Sequence, residues 1–167
     1  LLTSLSEVET ANGYANRFLW VFVRRSKFLP FGGKVEANKI NAFKIKLKEI
    51  IEFAGCIKRM ELSEKAKRLW ETVYQTLETS RFGFLAKVTQ RASPYVLRLS
   101  CIFALLDKQE IINLEHLEAG LAVWQYCEDS ARYIFGTATG NKLADMILAA
   151  LKVNGAGMTR TEIRDLF

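Results

Sequence analysis

The sequence predicts a mainly α-helical fold: a helical bundle with a short N-terminal β-strand segment and a truncated helix-turn-helix or winged-helix-like C-terminal tail. Apolar residues recur at alternating spacings of three and four along much of the chain, which is the pattern of one buried helix face. Helix start signals accompany this periodicity, among them Ser63 and the pair Ser93-Pro94. Only residues 18–23 combine a continuous apolar run with several β-branched and aromatic side chains.

The composition is typical of a folded protein with a moderately basic charge. Of the 167 residues, 50% are hydrophobic and 25% are charged, and only two are proline. Such a chain can bury the core of one ordinary domain. Lys and Arg exceed Asp and Glu by 24 to 18, a formal net charge of +6, which suits a polyanionic partner without requiring one.

The three cysteines, Cys56, Cys101 and Cys127, stand far apart in apolar helical contexts. We therefore expect them to be reduced core residues of a cytosolic protein. No apolar run approaches the roughly 20 residues that a membrane-spanning helix needs, and no signal segment opens the chain, so the sequence predicts a cytoplasmic protein. Because the chain starts at Leu1 without methionine and stops at Phe167 inside a helical pattern, we expect a piece of a larger protein.

One strand and a series of helices follow from the local signals. The run at 18–23 lies between Arg17 and Arg24-Arg25 and predicts a strand over 17–25, buried on both faces and belonging to a larger sheet. Apart from the short segment 110–112, no second strand is evident, so its partners should precede this chain. The predicted helices run over 40–57, from Ser63 to Leu77, from Ser93 to Leu106, as the central buried helix, and from a cap at Asn113 to Gly136.

The last part of the chain predicts the start of a new unit. A joint at 137–140 precedes a compact helix that ends at Asn154-Gly155. Thr159 to Glu162 has the form of a capping box and opens a further helix, in the order in which a helix-turn-helix begins. The recognition helix would follow Phe167. These signals divide the chain into residues 1–33, 34–136 and 137–167.

Several catalytic devices are missing from the sequence. It contains no G-x-x-x-x-G-K-[ST] phosphate loop, no G-x-G-x-x-G fingerprint and no C-x-x-C pair. His116 is the only histidine, and it is interpreted as a solvated residue in the first turn of its helix. By itself the chain predicts no complete catalytic site.

Two arginines are the candidate nucleotide contacts, each with an ordinary alternative. Arg17 begins the predicted strand, where its guanidinium could reach a phosphate on a neighbouring subunit or simply flank an apolar strand. Arg98 lies in an almost wholly apolar helix, where burial would demand a partner. That partner is either a phosphate or a carboxylate of the same bundle, at Asp107, Glu118 or Glu128.

Basic residues elsewhere are candidates for nucleic-acid binding, namely Lys44, Lys48, Arg160 and Arg164. The long helix carries four lysines, Lys39, Lys44, Lys46 and Lys48, which together fall on both flanks of the apolar seam. This favours solubilising residues whose stems lie along apolar surface over a DNA-binding track. Trp20, Trp70 and Trp124 each lie within an apolar stripe or run, which favours core packing over base stacking.

Several stretches together resemble the C-terminal half of a family of phage-, plasmid- and genomic-island-encoded proteins, in which a primase-polymerase-like region often precedes a helicase-type ATPase. These stretches are residues 12–20 (NGYANRFLW), 24–27 (RRSK), 91–99 (RASPYVLRL), 116–124 (HLEAGLAVW) and 158–163 (MTRTEI).

The resemblance implies that residues 1–33 complete the edge of a nucleotide-binding core, that 34–136 form a helical lid and that 137–167 begin a winged helix. It implies a trans-acting arginine finger at Arg17 and a nucleotide sensor at Arg98, with Arg91 as a further candidate. It also implies ATP and Mg²⁺ for the complete protein, and as partners DNA, an upstream ATPase core and further copies of the chain.

We therefore expect a DNA-associated, non-catalytic region of a primase-helicase-like ATPase. One alternative is a stand-alone DNA-binding regulator that uses the tail and the basic surface. Another is an oligomerisation module in which the helix over 40–57 packs against a partner.

Overall fold

The computed structural model describes residues 13–33, 36–79, 83–136, 139 and 141–165. Most of them are helical, so the predicted mainly α character is confirmed. The chain divides into two compact units. Unit 1 comprises the described residues of Leu1–Trp20, Ser80–Arg91 and Glu128–Phe167, and unit 2 comprises those of Val21–Thr79 and Ala92–Cys127. The units therefore alternate along the sequence, and the functional assignment of the three successive predicted segments stays a prediction.

Among the described residues, unit 2 holds three whole helices and the first part of a fourth. They are α1 (Ala37–Cys56), α2 (Glu64–Glu78), α4 (Ala92–Leu106) and the first part of α5 (Leu114–Phe135). The long amphipathic helix predicted over 40–57 is confirmed by α1. The predicted cap of α2 is also confirmed, because the hydroxyl of Ser63 accepts a hydrogen bond from the backbone N–H of Ala66 at 3.4 Å.

Within unit 2, a two-stranded parallel sheet links the segment before α2 to the segment between α4 and α5. Strand β1 (Glu61–Leu62) pairs with β2 (Ile111–Ile112), and the N–H of Ser63 continues the ladder to the carbonyl oxygen of Ile112 at 3.0 Å. The segment 110–112, noted from sequence as strand-like, thus supplies β2. The pair ties the start of α2 to the start of α5.

Helices α4 and α5 approach each other closely at Gly120. A Cβ atom there would lie 2.5 Å from the hydroxyl oxygen of Ser100 and 2.9 Å from the carbonyl oxygen of Val96. The Ser100 hydroxyl is turned back onto its own helix, donating to the Val96 carbonyl at 2.8 Å. One turn further along α5, the ring of Trp124 stacks on Tyr95 with centroids 6.0 Å apart. Only a residue without a side chain fits at position 120.

Unit 1 is built around a small aromatic core. It contains a 3-10 turn (Ala15–Arg17), α3 (Gly83–Thr89), the last part of α5, α6 (Lys142–Val153) and α7 (Arg160–Arg164). Phe135 lies at the centre of the core, with the rings of Phe84 and Trp20 centred 5.0 and 4.9 Å from its own. Helix α5 ends at Gly136 as predicted, and this glycine adopts a φ of 52° that side-chain-bearing residues rarely adopt.

The strand predicted over 17–25 does not form. Residues 18–25 have no ladder partner within the described ranges, and several of their apolar side chains are exposed, Val23 by 74%. A strand needs backbone partners on its edges, and here a side chain supplies one instead: the hydroxyl of Tyr126 donates to the carbonyl oxygen of Phe22 at 2.6 Å. Among the described residues this segment is not buried on both faces, and its membership of a larger sheet stays a prediction.

Two further expectations are corrected by the packing. Helix α4 begins at Ala92, so Ser93 lies inside the helix rather than capping it, and its hydroxyl is buried without a hydrogen-bond partner among the described residues. Cys56 is exposed at the end of α1, whereas Cys127 is buried and Cys101 is half-buried. Of the three tryptophans that the sequence assigns to core packing, Trp124 is buried, at 4% exposed, and the other two are half-buried.

We expect Gly120→Ala to destabilise the protein by about 2 kcal/mol, because the clash with α4 outweighs the roughly 1 kcal/mol that alanine gains in helix propensity. Urea unfolding measures the change. Gly55→Ala is the matched control: Gly55 lies in α1 and an added Cβ would meet nothing within 4 Å, so its stability should stay equal or rise. Ser100→Ala should restore part of the loss in the Gly120→Ala background. Equal stability of Gly120→Ala and the native chain would contradict the close approach.

The cysteines should react at different rates with a maleimide near neutral pH. Cys56 is exposed, while burial raises the pKa of the Cys101 and Cys127 thiols, and the thiolate is the reactive form. Mass spectrometry should find one fast equivalent and two slow ones. Cys56→Ser should remove the fast phase alone; a single common rate for all three thiols would contradict the packing of α4 and α5.

Candidate nucleic-acid interface

Two side chains, those of Asn141 and Asp145, accept hydrogen bonds at the start of helix α6. The side chain of Asn141 accepts the N–H of Ala144 at 3.0 Å. Asp145, in the first turn, accepts both the N–H and the hydroxyl of Thr139, at 2.7 and 2.8 Å. These bonds satisfy backbone donors that a helix start leaves free. They also engage the carboxylate of Asp145 locally.

The turn after α6 and the start of α7 follow the predicted signals. Asn154 is the C-cap of α6, and the N–H of Gly157 bonds to the Asn154 carbonyl at 2.9 Å. The capping box is confirmed: Thr159 accepts the N–H of Glu162 at 3.3 Å, and Glu162 accepts the N–H of Thr159 at 2.7 Å. Hydrogen bonds from the Thr159 backbone N–H, and then from its hydroxyl, lower the pKa of the Glu162 carboxyl.

This capped turn exposes two arginines. Arg160 and Arg164 stand one helical turn apart on α7, and both are exposed. Arg164 bonds the neighbouring Asp165 at 2.8 Å, whereas Arg160 has no ion pair within the part of the chain that the structure describes. An exposed pair such as Arg164–Asp165 opens at little cost. A helix, a turn and a second helix follow one another here, as the sequence predicts, while the helix-turn-helix or winged-helix character of the tail stays a prediction.

The other predicted basic site lies in unit 2. Lys44 and Lys48 are exposed on α1, and Lys48 approaches Glu52 one turn away at 3.8 Å. Both lysines flank the apolar seam on the same side, with no aromatic side chain placed between them for base stacking. They belong to unit 2, whereas Arg160 and Arg164 belong to unit 1.

Arg17 and Arg91 both lie in unit 1. They follow two residues that bond to each other, since the side-chain amide of Asn16 donates to Gln90 at 3.3 Å. Arg17 is exposed at the end of the 3-10 turn, and Arg91 is half-buried between α3 and α4. The structure therefore brings the chain segments of these two candidates together.

Arg98 is not buried, contrary to the expectation for the central helix. Helix α4 buries the face that carries Val96 and Ser100 and exposes the opposite face, where Arg98 and Ile102 lie. The proposed carboxylate partners are occupied or exposed: Asp107 meets His116, and Glu128 meets Arg132 at 3.0 Å. An exposed guanidinium needs no internal partner, so the premise of an obligatory ion pair is wrong.

His116 was predicted from the sequence to be solvated, and that prediction is wrong. It is 3% exposed, and its Nδ1 accepts the N–H of Asn113 at 3.0 Å. With Nδ1 accepting, Nε2 carries the proton and donates to the Asp107 carboxylate at 3.2 Å. The available signal was its position three residues after the capping position, where glutamate commonly makes the same backbone contact.

Within the described ranges, no group of three or more His, Cys, Asp or Glu side chains could hold a metal ion, and the sequence has no phosphate loop. ATP and Mg²⁺, which the resemblance implies for the complete protein, stay a prediction. Among the described helices, none is long and apolar enough to cross a membrane.

Comparisons of the chain with models of known protein families, with curated proteins and with solved structures found no match. The resemblance to primase-helicase-like ATPases therefore rests on the stretches quoted above.

The capping box should depend on pH. Because the Glu162 pKa is lowered in the folded chain, its contribution to α7 is present above the unfolded pKa of glutamate and is lost as the pH falls through the folded value. Carbon NMR titration of Glu162 should show this lowered pKa. In Thr159→Ala the pKa should rise only partly, because the backbone N–H still donates. An ordinary glutamate pKa in the native chain would contradict the box.

Proposed function

We propose that this chain is a nucleic-acid-associated, non-catalytic part of a larger ATPase, and that the α6–α7 helix pair contacts the phosphate backbone. The carrying observation is the distribution of charge on this pair. Its acidic side chains are engaged locally, at Asp145, Glu162 and Asp165, while Arg160 is exposed without an ion pair among the described residues. The Arg160 guanidinium is left to face an external anion, and Arg164 can join it when its exposed pair with Asp165 opens.

The chemistry of a phosphate contact fits this arrangement. A guanidinium presents several donors to phosphate oxygens, and neutralising each phosphate releases counterions from the duplex. Two arginines spaced one turn apart can reach successive phosphates, but they carry no sequence information by themselves. Specific reading of bases would need further contacts to base edges in a groove.

The association with an ATPase rests on the resemblance and on the exposed face of α4. Arg98 lies there beside Ile102, which is 51% exposed. A guanidinium on a partly apolar face suits contact with another protein surface, including one that presents a bound nucleotide. The stand-alone regulator differs in having no such dependence, so addition of an ATPase core would leave its DNA affinity unchanged.

Fluorescence anisotropy with labelled single- and double-stranded DNA across a salt series tests the nucleic-acid proposal. Arg160→Ala should weaken binding several-fold and reduce the salt slope by about one. The double variant Lys44→Glu, Lys48→Glu is the matched control on α1, and we expect it to retain most of the affinity and the full slope.

Loss of binding in the α1 double variant alone would move the DNA contact to α1 and overturn the assignment to α7. Absence of salt-sensitive binding by the native chain would sink the nucleic-acid proposal as a whole. The remaining role would then be a lid that contacts only its own ATPase core.

A further inference from the structure

Helix α1 presents an apolar face that the rest of unit 2 leaves largely uncovered. It has no buried residue over its 20 positions. Ile50, Phe53 and Ala54 near its end are half-covered, but every residue from 36 to 49 is exposed. Phe43 is 64% exposed and Leu47 is 38% exposed. Such a row on one helix is the form in which helices bind partner helices.

The apolar face of α1 has the spacing of a coiled-coil seam, of which Ile40, Phe43 and Leu47 are the exposed part and Ile50 and Ala54 the half-covered part. Ile40, Phe43, Leu47, Ile50 and Ala54 occupy successive a and d positions of one heptad frame. The seam therefore faces a single direction along the helix. An occupant that matches it would be another helix lying along α1.

The charges at the e and g positions of α1 are of one sign, and one of them, Lys39, pairs with the N-cap residue Glu36 at 3.1 Å in an exposed ion pair. In the same frame, Lys39 and Lys46 occupy g positions and Lys44 occupies an e position, and no acidic residue stands at e or g within α1. The acids of the helix are directed elsewhere: Glu49 pairs with Lys108 of the same unit at 2.7 Å, and that bond lowers the pKa of Glu49. Glu52 lies at the f position, opposite the seam.

This pattern disfavours pairing with a second copy. In a parallel pair, the g position of one helix faces the e position of the other, which places Lys39 opposite Lys44. In an antiparallel pair, g faces g and e faces e, which again brings lysines together. The parallel arrangement therefore sets one pair of like charges, with Lys46 opposite Ile51, whereas an acidic flank would form ion pairs with these lysines in either direction.

We propose that α1 docks an amphipathic helix of another protein, with an apolar seam flanked by Asp or Glu. The lysines select this partner by charge, and the seam supplies the contact area. The proposal is independent of the nucleic-acid contact of α7, because it rests only on residues of α1 and their apolar neighbours.

Two labelled designed peptides test the proposal with the full chain. Both carry leucine at a and d, and they differ only in glutamate or lysine at e and g. Anisotropy should show the glutamate peptide binding about tenfold more tightly, with the preference decreasing at high salt. The variant Lys39→Glu, Lys44→Glu, Lys46→Glu should reverse the preference.

Substitutions on the two faces of α1 distinguish binding at the seam from non-specific hydrophobic binding. Phe43→Ser with Leu47→Ser should abolish binding of the glutamate peptide. Ile45→Ser is the matched control, because Ile45 is similarly exposed but stands at an f position away from the seam, and its binding should be unchanged. Circular dichroism checks that α1 remains helical in each variant.

Three outcomes would overturn the proposal. Equal affinity for both peptides would show that charge selects nothing. A concentration-dependent dimer in sedimentation, lost in the seam variant, would make a second copy the occupant. Binding to vesicles of anionic phospholipid that requires Phe43 and Leu47, with no binding of either peptide, would make the seam a membrane-surface contact.

Discussion

The close approach of α4 and α5 at Gly120 is the constraint on which unit 2 depends. Because no Cβ fits between the two backbones, the position of α5 along α4 is fixed to within a fraction of a turn. That register places Trp124 over Tyr95. It also fixes the segment between the two helices. There Asp107 bonds to His116, and β2 pairs with β1. The start of α2, through Ser63, follows from that pairing.

Periodicity and capping chemistry were sufficient to locate most helices from the sequence. The long seam of α1, the serine cap of α2, the glycine end of α5 and the capping box of α7 are all local signals, and local hydrogen bonds or local spacing decide them. The candidate contact on α7 was likewise within reach of the sequence, because its arginines follow directly from the capping box.

Burial was harder to predict, because it depends on which elements meet. Arg98 looked buried since nearly every neighbour along α4 is apolar, yet only one face of that helix is covered. His116 looked solvated since its sequence neighbours are acidic, yet the turn at 107 folds back over it. Residues 18–23 looked like a strand since their composition favours one, but a strand also needs a partner. Each error comes from reading a tertiary property from a local pattern.

The basic residues of α1 and those of α7 suit different kinds of partner. On α1 the lysines border an apolar seam, so a partner must satisfy both charge and apolar contact, which a helix with acidic flanks does and a phosphate backbone does not. On α7 the arginines stand beside capped polar turns with no comparable apolar row between them, so an anion alone satisfies them. A net charge of +6 does not distinguish these cases. The apolar surface next to the basic side chains distinguishes the two cases. Apolar area beside a cation adds affinity only for a partner that can cover it.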